Sequence, residues 1–202
     1  GEETKTEASP LAPVSAYGWS KMMAEKIHQS WQEESEEHKL VICRPAVIFG
    51  HNEGGNFTRL AKLMKKGFFV YPGRKDTIKG CFYVKDLIDA FVFALNQPEK
   101  LVIFNGCYPD RYTIEQIVAT FKKTFFPKVK EFLLPRWVLM LAATLLRPLS
   151  TVGIGIHPER VMKLVKSTDT VPGWLLAKGQ AKRDALSAAL KDWGKDSNGV
   201  FD

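Results

Sequence analysis

The sequence predicts an α/β chain built on parallel strands, and three observations carry that expectation. Segments with apolar residues at helical spacing alternate with short runs dense in Val, Ile and Phe. Two of these runs, Lys39–Phe49 and Leu101–Asn105, are apolar on both faces, as strands buried in a parallel sheet are. The intervening turns are marked by Gly, Pro and Asn. Such alternation is characteristic of βα units, although two clear strands are too few for a sheet that stands alone.

Taken in order, residues 1–14 are polar, contain Pro10 and Pro13, and read as a loop. A helix follows from Tyr17 to about Glu34, with Tyr17, Ala24, Ile27 and Trp31 on or near one face. The acidic run Glu33–Glu37 marks its solvated end. After the Lys39–Phe49 strand comes a turn-rich loop, Gly50–Gly55, and Asn56 is expected to cap a helix over Phe57–Lys66. Phe68–Tyr71 and Ile78–Val84 read as short strands separated by Pro72-Gly73. Asp86 is expected to cap a helix over Leu87–Asn96. Thr113 and Gln116 have capping-box spacing for a helix ending near Phe125.

Leu133–Leu149 is the most hydrophobic stretch. Pro135, Arg136, Arg147 and Pro148 leave it short of the roughly 20 apolar residues that a bilayer crossing needs. Being apolar all round, it reads as a buried or interface helix rather than one lying on a membrane surface. Pro158-Glu159 opens a helix to about Lys166. The last helix is expected over Ala181–Trp193, before a fraying tail.

The 202 residues are 45% hydrophobic and 25% charged, the composition of an ordinary soluble domain. The net charge of +7 comes from scattered lysines, with no basic run and no nucleic-acid motif. That argues against nucleic acid as a partner and leaves a phosphate-bearing small molecule as a use for some of the charge. Cys43, Cys81 and Cys107 are widely spaced, and no signal-peptide pattern is present. Reduced thiols in a cytoplasmic setting are therefore expected. The four histidines form no metal-binding motif, so no metal site is expected.

The chemistry concentrates in Ser15-Ala16-Tyr17-Gly18-Trp19-Ser20-Lys21. Residues at i and i+4 share a helix face, so Tyr17 and Lys21 can address one small volume. A free tyrosine titrates near 10; bringing it to neutrality requires about 4 kcal/mol of preferential phenolate stabilisation. A fixed ammonium in a water-poor cleft supplies part of that.

This stretch, with Ala24-Glu25 after it, resembles the catalytic helix of the extended short-chain dehydrogenase/reductases, in their nucleotide-sugar epimerase/dehydratase branch. Further matches follow in family order: Arg44-Pro45 with Gly50 at a strand end, Gly55-Asn56-Phe57, and Tyr83-Val84-Lys85-Asp86-Leu87. The resemblance implies the C-terminal part of a Rossmann-type parallel sheet plus a smaller mixed α/β substrate lobe. Residues 1–50 and 85–110 would belong to the nucleotide-binding domain, and 51–84 and 111–202 to the lobe. No GxGxxG or GxxGxxG loop occurs. In the family that loop precedes the tyrosine helix, so the chain resembles the later portion of such an enzyme and would be catalytically incomplete alone.

The resemblance also implies roles. Tyr17 would be the general acid/base, and Lys21 would hold the nicotinamide ribose of NAD or NADP. Pro45, Ala46 and Val47 would back the nicotinamide. Asn56 and Phe57 would contact a nucleotide-sugar substrate, with Lys79, Arg74 and Arg160 toward its phosphates. Val47 stands where several epimerases carry an Asn, and Lys79 where many carry an Arg, which loses the bidentate fork. The implied reaction is epimerisation or keto-reduction of a nucleotide sugar, for bacterial surface polysaccharide, by a homodimer joined through the Tyr17 helix. A 3β-hydroxysteroid dehydrogenase-like enzyme and a non-catalytic interaction module are the alternatives.

Overall fold

The computed structural model describes residues 3–135, 137, 138, 141 and 166–201. Helix α1 (Ala16–Glu33) begins where the Ser15 hydroxyl accepts the Gly18 N–H at 3.1 Å. None of its residues is buried. Strand β1 (Leu40–Pro45) follows, then β2 (Val47–Phe49), α2 (Asn56–Lys65), β3 (Phe68–Pro72), β4 (Cys81–Tyr83), α3 (Val84–Leu95) and β5 (Leu101–Gly106). The chain continues through α4 (Ile114–Thr124), β6 (Lys130–Leu134), α5 (Gly173–Ala177) and α6 (Leu186–Asp196).

The described strands pair in three parallel couples: β1 with β5, β2 with β4, and β3 with β6. The expected α/β class with parallel strands is therefore present. The single run expected over Lys39–Phe49 divides at Ala46. Its N–H bonds the Gly106 carbonyl, whereas the next N–H, on Val47, bonds Gly80, so the chain changes partner strand there. The pairing of β6 with β3 was not anticipated, because Lys-Glu-Phe-Leu-Leu alternates poorly and runs into the apolar stretch.

Three helix starts differ from expectation. Gly55, not Asn56, is the N-cap residue of α2; the Glu53 carboxylate takes the Gly55 and Thr58 N–H groups at 2.8 and 2.6 Å. Asp86 lies in the first turn of α3, whose N-cap residue is Tyr83. It accepts hydrogen bonds from Tyr108 and Lys182, so it fastens the helix instead of capping it. The last helix starts at Leu186, since Lys182 and the Asp184 N–H are held by Asp86, Asp89 and Asp110. The Thr113/Gln116 capping box of α4 forms as expected.

The core is aromatic at its centre: Phe49 stacks on Phe57 at 4.4 Å, and Trp193, Phe121 and Phe201 close around them. All of the expected Pro158–Lys166 helix except Lys166, and most of Leu133–Leu149, lie outside the described residues. Of that stretch, Leu133 belongs to β6, while Trp137 and Leu141 are exposed, which does not fit a buried helix and leaves the interface reading open. No described helix is long and apolar enough to cross a membrane.

Candidate functional site

A groove of about 710 Å³ runs between α1 and β1. Tyr17, Lys21, Glu25 and His28 line it from the helix; Cys43 and Pro45 are among the residues lining it from the strand. These helical positions fall three or four residues apart, so one face of α1 turns toward the strand. On its other edge β1 is paired to β5 from Leu40↔Leu101 to Pro45↔Gly106.

Lys21 Nζ stands 5.7 Å from the centroid of the Tyr17 ring, so phenol and ammonium share a side of the helix. Tyr17 is 73% exposed, so the water-poor cleft expected around it is not closed by any described element. Helix phase is set two turns further on. The Arg44 guanidinium donates to both oxygens of Glu25, at 2.6 and 3.1 Å, and to the Glu7 carbonyl at 2.8 Å. This sheltered, bidentate pair pins α1 to the end of β1 and holds Tyr17 and Lys21 over the groove.

Glu7 extends the same scaffold. Its carboxylate takes the N–H groups of Asn105, Gly173 and Trp174, tying the N-terminal segment to β5 and to the start of α5. Sequence reasoning treated this segment as loop; a Glu between Thr6 and Ala8 gives no local signal of such a role. Burial pushes the groove-lining Cys43 thiol up to about 12, which removes it as a nucleophile near neutrality.

Of the remaining sequence candidates, Pro45 joins Tyr17 and Lys21 in the groove, while Ala46 and Val47 make the strand switch beside it. Asn56 is exposed at the start of α2, where Glu53 already occupies N–H groups that would attract an anion. Phe57 is buried against Phe49 and serves the core. Arg74 forms a two-point ion pair with Asp76 at 2.5 and 2.7 Å. Lys79 is half-buried and donates to the Lys166 carbonyl at 2.9 Å; burial holds its ammonium below the ordinary lysine range. Arg160 lies outside the described residues. No set of three or more His, Cys, Asp or Glu side chains converges as a metal site among the described residues.

Comparison with known proteins bears on what this face of α1 is for. The model of the NAD dependent epimerase/dehydratase family matches residues 1–106, a span holding α1, the groove and the β1–β5 pair. The chain belongs to this family. One curated relative is the N-acetyl-alpha-D-glucosaminyl-diphospho-ditrans,octacis-undecaprenol 4-epimerase of Escherichia coli O157:H7. It is 29% identical over 131 residues, covering 64% of this chain and 40% of the relative. Among solved structures, the UDP-N-acetylglucosamine 4-epimerase of Bacillus cereus superposes with a TM-score of 0.70 at 18% identity, covering 97% of this chain and 61% of that one. The UDP-Glc/GlcNAc 4-epimerase of Campylobacter jejuni gives 0.66 at 20% identity, over 96% and 59%. The chain thus spans about 40–61% of the length of these proteins, and at such identities the superpositions speak for a shared Rossmann-like fold.

Proposed function

We propose that the protein containing this chain is an NAD-dependent epimerase of a sugar diphosphate, with Tyr17 and Lys21 as its proton-transfer pair. The observation that carries this reading is the placement of both side chains on the groove-facing side of α1, in a chain of the epimerase/dehydratase family. The residues present fit the nicotinamide end of the cofactor: Lys21 offers ammonium donors and Tyr17 a hydroxyl, with the end of β1 behind them. When bound, NAD supplies the hydride acceptor and donor. Tyr17 Oη takes the proton of the reacting sugar hydroxyl and returns it, while the Lys21 charge stabilises the negative charge that develops on that oxygen. Arg44 and Glu25 keep the pair oriented. Reduction of a keto sugar needs the same proton at the same oxygen, so both reactions suit this geometry.

Residues 1–50 and 85–110 are assigned to cofactor binding, and 51–84 with 111–202 to the sugar lobe. Arg74, Lys79 and Asn56 are the groups there for a diphosphate, with Arg160 as a further cation. The exposed stripe Trp19, Met23, Ile27 and Trp31 on the outer side of α1 suits a homodimer contact. The name of the E. coli relative favours a second form of the substrate, a sugar carried on a polyprenyl diphosphate; a role in surface polysaccharide is part of the same proposal. The test is interconversion of UDP-N-acetylglucosamine, or of its polyprenyl-diphosphate counterpart, with the C4 epimer, followed by NMR with full-length protein and NAD. Conversion of one of them supports the reading. Folded, NAD-loaded protein that changes neither at C4, and reduces no 4-keto derivative, contradicts it.

A further inference from the structure

The β3–β6 couple has one face in the core and the other in solvent. Phe69 and Tyr71 point inward, and Tyr71 donates to Glu131 at 2.7 Å. Side chains paired in a parallel register share a face, so Phe68 stands beside Lys130, and Val70 beside Phe132, on the outer side. Phe68, Val70 and Phe132 are 40%, 37% and 53% exposed, and Trp137, just past the strand, is exposed as well.

The edge where both strands begin is basic. Lys65 and Lys66 lead into Phe68, Lys128 leads into β6, and the Lys130 N–H bonds the Gly67 carbonyl, which brings the two segments together. None of these four lysines is ion-paired among the described residues. Residues 54–75 and 116–130, which supply this region, contain no Asp or Glu. The only carboxylate on the two strands, Glu131, is engaged inward by Tyr71 and Lys122.

We propose that this face docks on an anionic lipid bilayer, with Phe68, Val70 and Phe132 entering the interfacial layer and the four lysines meeting lipid phosphates. Charge complementarity selects that occupant. A two-fold contact would pair the face with itself and bring the lysines no countercharge. An anionic membrane surface supplies both an apolar layer and negative charge. The inference is independent of the substrate reading, since docking can be measured without any sugar.

The test is co-sedimentation of the full-length protein with vesicles of phosphatidylcholine, alone or mixed one to one with phosphatidylglycerol. The expected result is capture by the mixed vesicles, weakened in 0.5 M salt, where the screening length is about sevenfold shorter than the roughly 30 Å at 0.01 M. Lys66→Glu with Lys130→Glu should lower the partition coefficient by at least about tenfold. Phe68→Ser with Phe132→Ser should lower it as well, while circular dichroism stays that of the wild type. Folded wild-type protein left in the supernatant overturns the proposal. So does capture that neither double variant weakens, or a solution dimer that the Phe68/Phe132 variant dissociates. Sugar conversion by a protein that ignores vesicles would overturn docking and leave the functional reading standing.

Discussion

Replacing Arg44 with Met should destabilise the protein and misplace its proposed catalytic pair. The substitution removes the bonds of 2.6 and 3.1 Å to Glu25 and the third, of 2.8 Å, to the Glu7 carbonyl. The two side chains are only 23% and 10% exposed, so solvent screens the pair weakly. A hydrogen bond to a charged group contributes about 1.5–3 kcal/mol, and two on one carboxylate give about 3 kcal/mol at the low end. For a chain of this size each kcal/mol moves Tm by about 2–4 °C, which predicts a fall of about 6–12 °C. Thermal unfolding of full-length Arg44→Met, Glu25→Gln and the double variant, followed by circular dichroism, measures the coupling. We expect at least about 1 kcal/mol, since residues in one ion pair couple by about 0.5–3 kcal/mol. Turnover should fall in both single variants, because α1 loses its anchor to β1. A coupling below about 0.3 kcal/mol, within the range of independent sites, would refute the argument.

Other perturbations test the scaffold. Burial raises Asp169, but hydrogen bonds from Arg111 and Thr4 outweigh it and hold the carboxyl below its ordinary range; bonds from Lys122 and Tyr71 do the same for Glu131. Both groups therefore add stability above about pH 4 that is lost as pH falls through their folded-state values. Denaturant midpoints should drop on acidification, less steeply in Asp169→Asn than in the wild type. Gly50→Ala places a methyl 2.5 Å from Val84 Cγ1 at a φ of +156°, and should cost about 1–3 kcal/mol in urea unfolding. Thr113→Ala removes the capping box of α4 and should cost about 1 kcal/mol, read as a Tm fall of about 2–4 °C.

Much of this was legible in the sequence where the signal is local. The i, i+4 spacing put Tyr17 and Lys21 on one side of α1, and the Thr113/Gln116 spacing gave its capping box. The doubly apolar runs marked β1 and β5 as buried strands, though not that they pair. What escaped depends on partners far along the chain. Ala46 splits a strand because Gly106 and Gly80 lie on different neighbours. Glu53 displaces Asn56 as the capping side chain because its longer carboxylate reaches forward past Gly54 to the Gly55 and Thr58 N–H groups. Phe57 proved to be core because Phe49 stacks on it, and Glu7 looks like loop until Asn105 and Gly173 are folded against it. The Glu25–Arg44 pair joined two motifs whose members were each visible but whose contact was not.

The central claim is that Tyr17 moves the proton while Lys21 steadies it. It is tested most directly by hydride transfer in a single turnover, comparing full-length wild type with Tyr17→Phe loaded with NAD and mixed with the sugar diphosphate it converts. The account predicts that transient NADH absorbance forms about 10²–10⁴-fold more slowly in Tyr17→Phe, with sugar affinity little changed. Formation at the wild-type rate would contradict it.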